Sequence, residues 1–219
     1  MDVPEHLLLL QNKTLASVVK DEMLRMIKTG EIEMGAKLSE ISFTSRLNVS
    51  RAAVREAFRG LEEAGLVRLE KNRGVFVRKF EKHEAIELFE FRAVLEEASA
   101  RRLAALITDE QLAELEKLSK ELEQLAPNNV LNEYYNLNIL FHDNMVVLAG
   151  NSAMLETYRR LTDQMHLLRR QGYNKGNGLL QSCAEHRAIL NALLRRDPDA
   201  VARASHDHVM NGMVRLLAL

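Results

Sequence analysis

Apolar residues recur at helical spacing along most of the chain. Leu15, Val18, Val19, Met23, Leu24, Met26 and Ile27 define one face of a helix over residues 14–29, which Gly30 can stop. A short link containing Gly35 follows. Residues 39–47 predict a second helix with Ser39 as its N-cap, Asn48 and Val49 a short turn, and Ser50 the cap of a third helix. In that third helix Ala53, Val54, Ala57, Phe58, Leu61 and Ala64 form the apolar face, while Arg51, Arg55 and Arg59 repeat every four residues on another. Gly65 ends it. The period then shortens. Residues 66–69 and 75–78 are β-type runs on either side of a polar turn ending in Gly74, a hairpin pattern. Helix, helix, turn, helix, hairpin is the order of a winged helix–turn–helix.

Beyond Lys79 the pattern is helical almost throughout. Helices are predicted near 82–105, 109–125, 129–149, 152–171, 179–195 and 197–217. Thr108 caps the second, residues 126–129 break before the third, and Gly150 and Asn151 part the third from the fourth. Residues 172–178 form the loosest loop, and Pro198 sits in the first turn of the last helix. The expected fold is therefore mainly α. A winged helix–turn–helix domain spans 1–79, and an all-helical bundle spans 80–219.

Composition agrees. Of 219 residues, 47% are hydrophobic and 28% charged, with 3 prolines and 10 glycines, which argues against disorder and against a turn-rich β fold. A single cysteine, Cys183, excludes an intramolecular disulfide framework and a cysteine-based zinc ribbon, and reads as a small buried residue. The longest early apolar run, residues 7–10, is too short for a signal sequence or a membrane span. A cytoplasmic protein with no membrane partner is expected. The net charge of −1 hides an asymmetry: residues 1–80 carry a net +3 and residues 81–219 a net −4. Residues 37–79 alone hold 10 bases and 5 acids, a local excess that suits a polyanion.

In a helix–turn–helix the second helix enters the major groove, N-terminal end first. Here that end carries Ser50, Arg51, Ala52 and Arg55. Arginine reads guanine or clamps phosphate, and small Ala52 and Ala53 let the backbone approach. Arg73, beside Gly74 at the hairpin tip, can reach a phosphate or the minor groove. The alternative is a solvated helix face with glutamate pairs. The run LSEISFTSRLNVSRAAVREAFRGLEEAGLVRLEKNRGVFVR resembles the N-terminal domain of the GntR family of bacterial transcription regulators. That resemblance implies DNA contacts from Arg51 and Arg55, with Ser50, Ala52, Arg73 and Gly74 nearby. Asn48, where the family usually has Gly, and Ala53, where Pro is common, depart from the pattern.

In the second part, Asn138 and His142 lie four apart on one helix, His186 on a later helix and His208 on the last. Three imidazoles and an amide oxygen would suit a divalent metal, if they converge; otherwise they are three separate histidines. FRAVLEEASARRLA, LNILFHDNMVVLAGN, EHRAIL and RDPDAVARASHDHV resemble successive signatures of the FCD ligand-binding domain, the mark of the FadR-like branch of GntR regulators. The resemblance implies a helical bundle that holds a metal through Asn138, His142, His186 and His208. Zinc is the expected ion, with nickel or manganese as alternatives. Asn138 stands where that pattern has Asp, so its ligand brings no charge. Arg92 falls where the pattern has an arginine in the effector cavity; the alternative is a surface ion pair with Glu96. His166 is either a further cavity residue or a core histidine, and of Arg169 and Arg170 one either faces the cavity too or lies outside it. Glu185 reads as a support for the metal ligands or an ion-pair partner, and His206 and His83 as surface residues.

The resemblance implies a homodimeric regulator, most often a repressor, on a palindromic double-stranded operator, released by a small carboxylate or phosphonate. Effector binding would reorient the DNA-binding heads. LEEAGLVRLEKNRGVFVR and LNILFHD are similar to a subgroup associated with phosphonate utilisation. Two rivals remain: a metal sensor with no organic effector, and a metal-dependent hydrolase with an accessory DNA-binding domain.

Overall fold

In a computed structural model the chain divides into two compact units that part between Lys79 and Phe80. The structure describes residues 14–128, 130–173 and 178–217, apart from the side chains of residues 28 and 169–173.

The first unit begins with α1 (Leu15–Thr29). The Thr14 hydroxyl accepts a hydrogen bond from the Ser17 amide, and Gly30 closes the helix in the left-handed region. Val19, Met23, Met26 and Ile27 are its buried face. Then come α2 (Glu40–Leu47), capped by Ser39, and α3 (Arg51–Glu63), whose N-cap Ser50 accepts from the Ala53 amide at 3.2 Å. Val54, Ala57, Phe58 and Leu61 bury the apolar face of α3 against α1 and α2, with Phe58 edge-on to Phe43. The arginine face is left to solvent.

The hairpin is β2 (Val67–Glu70) and β3 (Gly74–Val77), antiparallel, with Leu69 opposite Val75. A strand not read from the sequence, β1 (Lys37–Leu38), adds to the other edge of β3, giving the order β1-β3-β2. It ties the link before α2 to the wing. Gly74 has φ +110°, and a Cβ there would meet Lys37 Cε at 3.2 Å, so this turn needs glycine.

Asn48 caps α2 with φ 51° and ψ 48°. This left-handed position explains how Asn can stand where the resembling family has Gly, because Asn tolerates that region better than other residues with a side chain. Asn48→Ala is expected to destabilise the first unit by about 1 kcal/mol, and Asn48→Gly not at all. Urea unfolding of the two variants checks this.

The second unit is helical: α4 (Lys82–Leu106), α5 (Asp109–Leu125), a 3₁₀ turn (Ala126–Asn128), α6 (Leu131–Leu148), α7 (Ser152–Tyr173), α8 (Gly178–Leu194) and α9 (Pro198–Leu217). Reciprocal capping boxes start α4 (Glu81 with Glu84) and α5 (Thr108 with Gln111). Leu103, Leu115, Leu122, Tyr134, Phe141, Ile189 and Val201 belong to one buried cluster drawn from α4, α5, α6, α8 and α9. Helix α9 packs along α4 and against α8, and α6 packs on α4, α5 and α7. This arrangement brings polar residues of α4, α6, α8 and α9 into the interior. Among the described residues, no helix is long and apolar enough to cross a membrane.

Candidate functional site

The first unit presents a groove of about 680 Å³ whose lining includes Lys37, Arg51, Arg55, Arg59, Arg73 and Gly74. Ser50 is tied up as the cap of α3, so it fixes the helix start rather than offering a free hydroxyl proton acceptor. Arg51 and Ala52 are exposed on the first turn. Arg51 makes no hydrogen bond or ion pair among the described residues. Arg55 is different: its Nε and Nη2 donate to the two oxygens of Glu40 at 2.7 and 3.1 Å. The Arg55 hydrogen bonds hold the Glu40 carboxyl below its usual range. Arg59 pairs with Glu56 at 2.7 Å, and Arg73 pairs with Glu70. Arg73 and Lys37 both lie over the Phe76 ring, 5.5 and 5.8 Å from its centre. The arginine face is thus partly the solvated, glutamate-paired face that periodicity alone allowed.

In the second unit the three histidines converge. His142 Nε2 lies 3.2 Å from His186 Nε2 and 3.1 Å from His208 Nε2. One nitrogen from each ring falls within 4.8 Å of the others, and all three rings are buried. Asn138, one turn before His142 on α6, is fully buried, and neither atom of its amide has a partner. Helix α4 supplies Glu96, whose Oε2 is 3.0 Å from His142 Nδ1. Helix α8 supplies Glu185, whose Oε2 is 2.8 Å from His208 Nδ1. A carboxylate can only accept, so His208 Nδ1 carries the proton and its Nε2 presents a lone pair towards His142. A cation held between the rings would satisfy that lone pair. The protein does not favour a proton there: burial pushes His142 down to about 3 and lowers His208 too, against the pull of Glu96 and Glu185. The nitrogen set, the His208 tautomer and the orphaned amide therefore fit a divalent transition metal.

Arg92 is also buried, and its Nε donates to Glu96 Oε1 at 2.6 Å. Of the two arrangements open to it, the ion pair with Glu96 exists, but in the core rather than on the surface. Burial alone would raise the Glu96 carboxyl; Arg92, His142 and His208 together hold it well below its usual range. Glu185 is likewise raised by burial but held at about 2 by His208 and by Arg215, which donates to both its oxygens at 2.7 and 2.9 Å. Asn211 completes this cluster.

His166 is buried on α7, and its Nδ1 is 2.6 Å from the hydroxyl of Tyr135, one turn before Asn138. It is not one of the three converging rings. Tyr135, Arg215 and Asn211 were not singled out from sequence, where nothing in their spacing marks them. The Arg169 side chain lies outside the described residues. His206 is partly exposed beside Asp207, His83 is exposed, and Cys183 is buried against the Tyr134 hydroxyl.

Residues 15–77 match the bacterial regulatory proteins of the gntR family, and residues 87–211 match the FCD domain. The HTH-type transcriptional repressor RspR of Escherichia coli K12 is 31% identical over 178 residues, 81% of this chain and 78% of that protein. The probable D-xylose utilization operon transcriptional repressor of Paenarthrobacter nicotinovorans is 27% identical, covering 91% and 88%. Among solved structures, a putative GntR transcriptional regulator from Rhodococcus sp. RHA1 superposes with a TM-score of 0.80 at 25% identity, over 93% of this chain and 97% of that one. Escherichia coli McbR/YncC shares the fold, with a TM-score of 0.84 at 20% identity over 94% and 98%. The fold and the matches define a DNA-binding transcriptional regulator, not an enzyme. The chain belongs to the GntR family and carries an FCD domain as its C-terminal part.

Proposed function

We propose that this regulator is an operator-binding repressor whose DNA affinity is set by a small organic anion bound together with a divalent metal ion in the FCD domain. The observation that carries this reading is the meeting of the ring nitrogens of His142, His186 and His208, all buried, together with the unpartnered amide of Asn138 on the same helix as His142. These four residues hold the metal, zinc first and nickel or manganese as alternatives. The metal, when bound, supplies a Lewis-acidic positive centre for an anionic group. Arg92, and with it His166 and Arg169, serve the effector, a carboxylate or phosphonate. Arg51 and Arg55 make the principal DNA contacts from α3, with Ser50, Ala52, Arg73 and Gly74 placing helix and wing. The protein acts in the cytoplasm as a homodimer on a palindromic operator, and the effector binds one arrangement of its DNA-binding heads more tightly than the other.

Against a hydrolytic reading, Glu185 and Glu96 are both engaged with arginine and histidine, which leaves neither as a free general base.

Elemental mass spectrometry of protein purified without chelator is expected to find about one transition metal per chain. His186→Ala should lose it. A metal-free wild type that also takes up none on titration would overturn the metal part of this reading. Arg51→Ala is expected to weaken operator binding at least about tenfold and to reduce its salt dependence by about one phosphate contact. Unchanged binding in gel-shift titrations at two salt concentrations would remove Arg51 from the interface.

A further inference from the structure

The cations that line the groove of the first unit are not equally available. Arg55, Arg59 and Arg73 each hold a glutamate, so the charge of each is already matched. Lys37 and Arg51 line the same groove and have no acidic partner among the described residues. Arg51 stands on the first turn of α3. Lys37 comes from β1, the short strand that adds to the edge of the wing.

Lys37 is exposed, yet its side chain has a definite place. It stands opposite Phe76 in the β1–β3 ladder, and its Nζ lies 5.8 Å from the centre of the Phe76 ring. Its stem passes the wing turn, where a Cβ on Gly74 would meet Lys37 Cε at 3.2 Å. Cross-strand pairing, an aromatic ring and a glycine turn thus hold one ammonium at the wall of the groove.

The kind of hold matters. A glutamate cancels the charge that it positions and takes up the N–H groups, which must be recovered before a phosphate is gripped. An aromatic face attracts a cation through its quadrupole but carries no net charge, so the cation keeps its full charge and its donors for an oxygen acceptor. Arg73 lies over the same ring, 5.5 Å from its centre, but Glu70 already holds it. Lysine suits a backbone phosphate, because a compact point charge needs no planar match to its partner.

We propose that Lys37 contacts a backbone phosphate of duplex DNA, with Phe76 as its positioning residue, and that β1 is thereby part of the DNA-binding surface beside α3 and the wing. This rests on the DNA reading above and adds a strand and a contact to it. Every duplex offers phosphates, so Lys37 contributes to affinity at any sequence and not to the choice among sequences.

The test is binding of the full-length protein to a labelled mixed-sequence duplex of about 30 base pairs, followed by fluorescence anisotropy between about 50 and 200 mM salt. Lys37→Gln is expected to make the slope of log K against log salt shallower by about 0.9, the value of one phosphate contact, and to weaken binding roughly tenfold at about 50 mM salt. Lys37→Arg should keep both the slope and the affinity. Phe76→Leu should weaken binding about two- to fourfold with the slope unchanged, because the charge remains while its placement is lost. A general loss of wing structure would lower the slope as well. Lys37→Gln with the slope and affinity of the wild type overturns the proposal; if Arg51→Ala still weakens binding, the DNA reading stands. Phe76→Leu with wild-type affinity removes the positioning role of the ring. A wild type that binds no duplex even at low salt overturns both readings.

Discussion

Glu96→Ala is expected to lower the stability of the FCD domain by about 3–5 kcal/mol, the range for breaking a buried ion pair by removing one partner. The substitution strands Arg92, only 2% exposed, in the core of the bundle with no counter-charge. It also takes away the carboxylate 3.0 Å from His142 Nδ1, so the ring is free to turn or change tautomer. Removing both charges together, as Arg92→Met with Glu96→Leu, is expected to recover most of the loss, because the cost lies in the orphaned charge rather than in the pair. Urea unfolding followed by circular dichroism, with chelator present to exclude metal linkage, gives both values. A single-variant loss below about 1 kcal/mol would mean that water reaches Arg92.

Acid is expected to destabilise the metal-free domain well before ordinary carboxylates titrate. Burial pushes His142 down to about 3 and lowers His208 from the ordinary 6.5. Below pH 6.5 the unfolded chain binds protons at both rings and the folded chain does not, so stability falls as the pH falls. His142 contributes up to about 1.4 kcal/mol per pH unit below pH 6.5, and His208 adds a loss of the same sign. Glu96 and Glu185, held below their ordinary 4.5, add a loss of the same sign at lower pH. The stability is therefore fully present above pH 6.5 and lost progressively below it. Unfolding free energies across that interval check the slope, and His142→Gln should flatten it. A level profile between pH 7.5 and 5.5 would show that the rings are solvated.

The helices were legible because each carries a local mark. Ser50 and Thr108 cap where a hydroxyl precedes an apolar period, and the change of period after Gly65 marks the wing. Strand β1 was not legible, because two residues are too few to show a period; its existence depends on pairing with Val75 and Phe76 far along the chain. The histidines were legible as residues but not as a cluster. His142, His186 and His208 sit on three helices, and only packing sets their separation. The glutamates divide in the same way. Glu96 is four residues from Arg92, so that pair is visible in sequence, but not its burial or its reach to His142. Glu185 adjoins His186 yet serves His208 on another helix, which no local rule reports.

The paired arginines of the DNA-binding unit bear on how the protein travels along a genome. Arg55, Arg59 and Arg73 each hold a glutamate when no duplex is present. To grip a phosphate each must give up a partner whose own charge repels the strand. On the proposed contacts, random sequence would offer little in exchange, and stays at wrong sites would be short. A site that also satisfies base-reading contacts repays the exchange and holds the protein. With the DNA contacts proposed above, the carboxylates around this face would act as a filter on dwell time, sharpening the choice of operator by weakening everything else.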